Sequence, residues 1–144
     1  MNVARLGHYA IRTMDLEASR RFYTEVMQFR VGFRPPFDFP GLWLYLGDDE
    51  TDFGVVHIIG IDPGDPDGLN RYLGDRPAES LSGTGSLDHI AFLAAGWRDM
   101  RVRLERLGQD FIERTVPSLG LHQVFLNDPS GVTIELNFPA AEAR

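Results

Sequence analysis

The chain has 144 residues, 43% hydrophobic and 24% charged, which suits one domain with a substantial core. Its net charge of -7 argues against nucleic acid and anionic membranes as partners, because both demand a basic face. All 14 basic residues are Arg and Cys is absent, so lysine Schiff bases, thiolate nucleophiles, disulfides and cysteine zinc sites are excluded.

In chain order, the start Met1-Asn2-Val3-Ala4-Arg5-Leu6-Gly7-His8 lacks the apolar stretch of a leader. No run approaches the roughly 20 apolar residues of a membrane span. With the lack of Cys, this predicts a cytoplasmic protein. Residues 4 to 12 alternate as a strand. Asp15 is positioned as the N-cap of a helix over 16 to 28, with Leu16, Phe22, Tyr23, Val26 and Met27 near helical spacing. Strands are predicted over 29 to 33, 42 to 46 and 53 to 59, the last two joined by the turn Gly47-Asp48-Asp49-Glu50. Residues 61 to 85, rich in Asp, Pro, Gly and Ser, read as a linker or pocket edge, with a short helical piece near 69 to 73.

The same order then repeats. A strand over 87 to 93 precedes a helix over 97 to 107, where Trp97, Met100, Leu104 and Leu107 keep helical spacing and Gly108 supplies the stop. Strands follow at 110 to 116, 121 to 127 and 131 to 138, the last two joined by Asp128-Pro129-Ser130-Gly131. The chain is thus expected to be α+β, one domain over 1-144 made of two βαβββ modules (about 4-60 and 86-139) joined by the linker.

The repeat also carries chemistry. His8 and His89 open equivalent strands, and each module closes on a second ligand-type residue, His57 or Glu135, at separations of 49 and 46 residues. Alternation puts Leu6, His8, Ala10 and Arg12 on one strand face, and Leu87, His89 and Ala91 on one face of its counterpart. Thr133, Glu135 and Asn137 oppose the apolar set Val132, Ile134, Leu136 and Phe138. A lone His in an apolar strand is ordinarily a satisfied semi-buried residue, but a carboxylate in such a strand is costly without a partner. Imidazole plus carboxylate suits a divalent ion such as zinc, nickel, iron, cobalt or manganese, with open positions for Lewis-acid chemistry. His8, His57, His89 and Glu135 are the candidate metal ligands, and His57 is alternatively an acid–base group or a core residue. His122, with no equivalent in the repeat, is expected at the surface or in a pocket wall. Trp43, Tyr45, Phe125 and Arg12 suggest an aromatic-lined substrate pocket with one cation.

The segments Gly7-His8, Phe22-Tyr23-Thr24-Glu25-Val26-Met27, Leu87-Asp88-His89-Ile90-Ala91-Phe92 and Asp128 to Leu136 resemble the vicinal oxygen chelate superfamily over nearly the whole chain. That group includes glyoxalase I, bleomycin and fosfomycin resistance proteins, methylmalonyl-CoA epimerase and extradiol dioxygenases. The resemblance implies paired βαβββ modules, a cupped, mostly antiparallel eight-stranded sheet with helices outside, one divalent metal ion and a homodimer. His8, His89 and Glu135 match the common ligand positions. His57 falls at the fourth, where glyoxalase I has Glu and the epimerase Gln. Arg12 matches an arginine that contacts the glutathione carboxylate, but Ile61 replaces the expected asparagine. Against the extradiol enzymes, Phe125 replaces a tyrosine, and Val116 and Pro117 stand where an acid–base histidine is expected. The implied activity is a metal-dependent lyase or isomerase that chelates adjacent oxygens of a small substrate and stabilises an enediolate, with His57 and Glu135 moving the proton. The alternatives are an iron(II) dioxygenase and an antibiotic-binding protein without catalysis.

Overall fold

A computed structural model describes residues 2–50, 54–62, 64–65, 67, 74 and 78–144. The chain divides into two compact units, Met1–Leu81 and Ser82–Arg144, and each is βαβββ. In the first unit, β1 (Tyr9–Thr13) leads into α1 (Leu16–Arg21), followed by β2 (Arg30–Gly32), β3 (Gly41–Tyr45) and β4 (Val56–Gly60). The sheet order is β1-β4-β3-β2, with β1 parallel to β4 and the other pairs antiparallel. The second unit repeats this with β5 (Ile90–Leu93), α2 (Trp97–Leu107), β6 (Ile112–Val116), β7 (Leu121–Asn127) and β8 (Thr133–Pro139). Its order is β5-β8-β7-β6, with β5 parallel to β8. The eight expected strands therefore form two four-stranded mixed sheets. The helical piece expected near 69 to 73 lies outside the described residues, as does the start of the strand expected from 53.

Each sheet buries one face. Ile11, Leu44, Val56 and Ile58 form the core side of the first sheet, together with Phe22, Tyr23 and Val26 from the helical segment. Ile134, Leu136, Phe138, Val124 and Leu126 do the same in the second, with Trp97, Met100 and Leu104 of α2. The spacing of those three α2 residues puts them on one stripe, and each buried side chain contributes roughly 1.5–3 kcal/mol. Trp97 is the hub, with ring contacts to Phe111, Phe138 and His122.

Helix ends follow the sequence in part. Asp15 Oδ1 accepts the Ala18 N–H at 2.9 Å, the expected cap. Beyond Arg21 the helix predicted through residue 28 widens into a π-helical stretch, Phe22–Val26, and Gln28 closes it at φ 57. Thr24 Oγ1 donates to the Arg20 carbonyl, competing with the backbone N–H for that acceptor, which favours the wider turn. At α2 the cap comes from afar: Glu142 Oε2 accepts the N–H groups of Gly96 and Trp97, each at 2.8 Å. Gly108 closes α2 in the left-handed region, as its position predicts. No helix among the described residues is long and apolar enough to cross a membrane.

The β7–β8 connection is a register clamp. Buried Asp128 accepts the N–H groups of Ser130 and Val132 on Oδ1, while Gly131 N–H donates to the Asp128 carbonyl. Gly131 sits at φ 80, and a Cβ there would press on Gly83 N at 3.1 Å. This turn brings Glu135 opposite Phe125 and Asn137 opposite Gln123.

Candidate functional site

The face of each sheet turned away from its helix carries the chemistry-bearing side chains. Both opening histidines lie one residue ahead of the ladders, not inside them, because the parallel partner strand supplies its first register partner only to Tyr9 in one unit and Ile90 in the other. The internal repeat survives in the register. Ala10 pairs with His57 and Trp43 pairs with His57; Ala91 pairs with Glu135 and Phe125 pairs with Glu135. His57 and Glu135 therefore hold the same position in their units, each two residues across from a histidine that precedes the first strand.

In the second unit His89 and Glu135 meet. His89 Nε2 lies 3.0 Å from Glu135 Oε2, and His89 Nδ1 lies 2.7 Å from Asp88 Oδ1. A neutral imidazole has a single N–H and satisfies only one of two carboxylates. Nε2 and Oε2 thus face each other at hydrogen-bond distance. Glu135 is 6% exposed, and its other oxygen is fully engaged. Gln123 Nε2 donates to Oε1 at 2.9 Å and Asn137 Nδ2 donates to it at 2.7 Å. Gln123 Nε2 also reaches Asn137 Oδ1, while Gln123 Oε1 accepts Arg114 Nε at 2.8 Å, so both amides are fixed in orientation. Two amide donors on one oxygen fix the orientation of the carboxylate and leave Oε2 turned to His89. Phe125 closes the group, edge-on to His89 at 6.1 Å and beneath the Arg114 guanidinium at 5.1 Å.

In the first unit the equivalent corner is aromatic. Trp43 and His57 stack at 4.1 Å with 4° between planes, and His8 stacks on His57 at 3.8 Å and 18°. His57 is buried and His8 exposed. Two donors with lone pairs in the ring plane cannot share an ion when the planes lie nearly parallel at this spacing. As placed, His8 and His57 form a stack and not a ligand pair. Arg12 lies on the same sheet face and donates Nη2 to the Gly74 carbonyl at 3.3 Å. Tyr45 is buried against Gly32, where a Cβ would stand 2.5 Å from its ring, and it donates to the Phe33 carbonyl at 2.7 Å. Burial holds its phenol protonated above the ordinary range; Glu50 adds to this and Arg30 opposes it.

Among the described residues no group of three or more His, Asp or Glu side chains is gathered to hold a metal ion. The His89–Glu135 pair nonetheless fits two adjacent ligands: bonds of about 2.1 Å at right angles put donors about 3 Å apart, the separation seen here. His122, expected at the surface or in a pocket wall, is buried on the helix side of its sheet. Its Nδ1 meets Thr115 Oγ1 at 3.0 Å and its Nε2 meets Glu113 Oε2 at 3.2 Å. Sequence reasoning missed Asp88, Arg114 and Gln123, and took Asn137 only as one of a polar set. The available signal was alternation, since Gln123 and Asn137 are polar residues at the same two-residue period as Phe125 and Glu135.

The sequence profile of the Glyoxalase/Bleomycin resistance protein/Dioxygenase superfamily matches residues 5–136. Among solved structures, a glyoxylase/bleomycin resistance protein/dioxygenase domain from Frankia sp. EAN1pec is similar at 19% identity and TM-score 0.65, covering 96% of this chain and 93% of that one. Lactoylglutathione lyase from Agrobacterium tumefaciens is similar at 15% identity and TM-score 0.58, covering 95% and 94%. An antibiotic binding protein from Streptomyces sp. CB03234 is similar at 21% identity and TM-score 0.59, covering 96% and 98%. No curated protein sequence matches the chain.

Proposed function

The chain belongs to the Glyoxalase/Bleomycin resistance protein/Dioxygenase superfamily, and on that premise we propose that it is a divalent-metal-dependent, glyoxalase-like lyase or isomerase acting on a small substrate with two adjacent oxygens. The carrying observation is Glu135, whose Oε1 is held by Gln123 and Asn137 while Oε2 faces His89 Nε2 at 3.0 Å. His89 and Glu135 are the residues that would hold the ion. When bound, a divalent ion supplies Lewis-acid polarisation of the substrate oxygens. Glu135 Oε2 is the atom that would face the ion, because Oε1 is occupied by its two amide donors. Asp88 orients the His89 ring through Nδ1, the usual service of an outer carboxylate to a ligating imidazole. His57, flat between His8 and Trp43, belongs to the aromatic corner of the first unit.

Metal analysis of the purified protein tests the reading. Stoichiometric zinc, nickel, cobalt or manganese is expected, falling more than about tenfold in His89→Ala and Glu135→Gln. Wild-type protein that holds no metal after dialysis against each ion sinks the proposal. Iron with oxygen-dependent turnover would move the assignment to the dioxygenases.

The His8–His57–Trp43 stack favours a second reading, a binding protein for a flat aromatic molecule, and an antibiotic binding protein from Streptomyces has a similar fold. Quenching of tryptophan fluorescence by planar aromatic ligands, lost in Trp43→Leu and indifferent to metal, would support it over the enzyme.

A further inference from the structure

Arg114 stands on β6 opposite Gln123 of β7, on the same sheet face as Glu135. Its Nε is committed to Gln123 Oε1, and its guanidinium rests on the Phe125 ring. Among the described residues its two terminal nitrogens have neither a hydrogen-bond nor an ion-pair partner. The cation is therefore pinned at one edge and open at the other. Gln123 is what keeps it so. Its amide accepts from Arg114 on one side and donates to Glu135 on the other, and thus stands as a neutral spacer between guanidinium and carboxylate.

A guanidinium held rigidly with its outer edge free matches a planar carboxylate through two parallel N–H groups. We propose that Arg114 is the specificity-determining residue of the second unit, binding a monoanionic carboxylate on the substrate, with Gln123 as the positioning residue that prevents its collapse onto Glu135. This rests on the reading of His89 and Glu135 as the reacting pair and names the substrate class: small 2-oxygenated acids.

The test compares mandelate with mandelamide, which share a ring and two adjacent oxygens and differ in charge, by calorimetry and by the side-chain Nε–Hε signal of Arg114. Wild-type protein is expected to bind mandelate at least about tenfold tighter, as a charge-assisted pair implies. Arg114→Met should abolish the preference, and Arg114→Lys should restore part of it. Equal affinities in the wild type, no binding of the acid, or a preference that survives Arg114→Met would overturn the assignment. Tighter binding of phenylphosphonate as its dianion would overturn the monocarboxylate. The two proposals fail separately. Stoichiometric metal with no charge preference sinks only this one, whereas a charge preference in protein that takes up no metal sinks only the metal reading.

Discussion

The two units place His57 and Glu135 at one register position and treat them in opposite ways. Both face an alanine on the first strand and an aromatic ring on the third. Around Glu135 the next positions along the face are Gln123 and Asn137, paired with each other across β7 and β8. Around His57 the corresponding pair is Gly41 and Ile59. One corner thus offers two amide donors and fixes a carboxylate; the other offers none and packs an imidazole between rings. The scaffold was duplicated, but the chemistry of each corner is decided by the pair one step along the ladder.

The strongest way to break this contrast is to move the carboxylate. His57→Glu puts a charge in a buried position where the neighbouring Gly41 and Ile59 supply no side-chain amide, and should cost about 3 kcal/mol in urea unfolding. Adding Ile59→Asn should recover only part. The matching glutamine cannot be added, since a Cβ on Gly41 would stand 2.5 Å from the Ile58 carbonyl. Full recovery by the double variant would show that the neighbouring pair is not what separates the units.

Removing the clamp from the other side is the next largest change. Gln123→Leu strips one donor from Glu135 and frees Arg114, at about 1–2 kcal/mol and a ten- to hundredfold loss of metal affinity by titration. Unchanged affinity would make the clamp structural only. In the aromatic corner, Trp43→Leu should cost about 1 kcal/mol beyond its lost area and leave metal content untouched. The smallest effect is alkaline. Tyr45 has a raised pKa in the folded state, so its contribution is intact below its ordinary value near 10 and is lost as pH rises beyond it. Stability in that range should fall more steeply for wild type than for Tyr45→Phe.

Much of this was legible in the sequence because period and punctuation are local. The stripe Trp97, Met100, Leu104 with Gly108 gave α2 to the residue, and Asp128 to Gly131 gave the turn that sets β8. What depended on a partner was not legible. His8 and His89 lie in alternating stretches, yet a strand exists only where a neighbour pairs with it, and β4 and β8 reach no further back than Tyr9 and Ile90. The cap of α2 by Glu142 joins residues 45 apart, and no local pattern announces it. The site divided likewise. Alternation put Glu135 on the polar face, but Gln123 as its clamp required the pairing of β7 with β8, and the stacking of His57 required that of β3 with β4.

In both sheets the strand that follows the histidine lies at an edge, and its single neighbour is the last strand of its unit. The two nearest neighbours in space are thus the farthest apart in the chain. Contacts of long sequence separation are closed late, after hairpins between adjacent strands have formed. The edge strand and the histidine ahead of it are consequently expected to join last, after the Glu135 clamp has formed with β7–β8 and the His57–Trp43 stack with β3–β4.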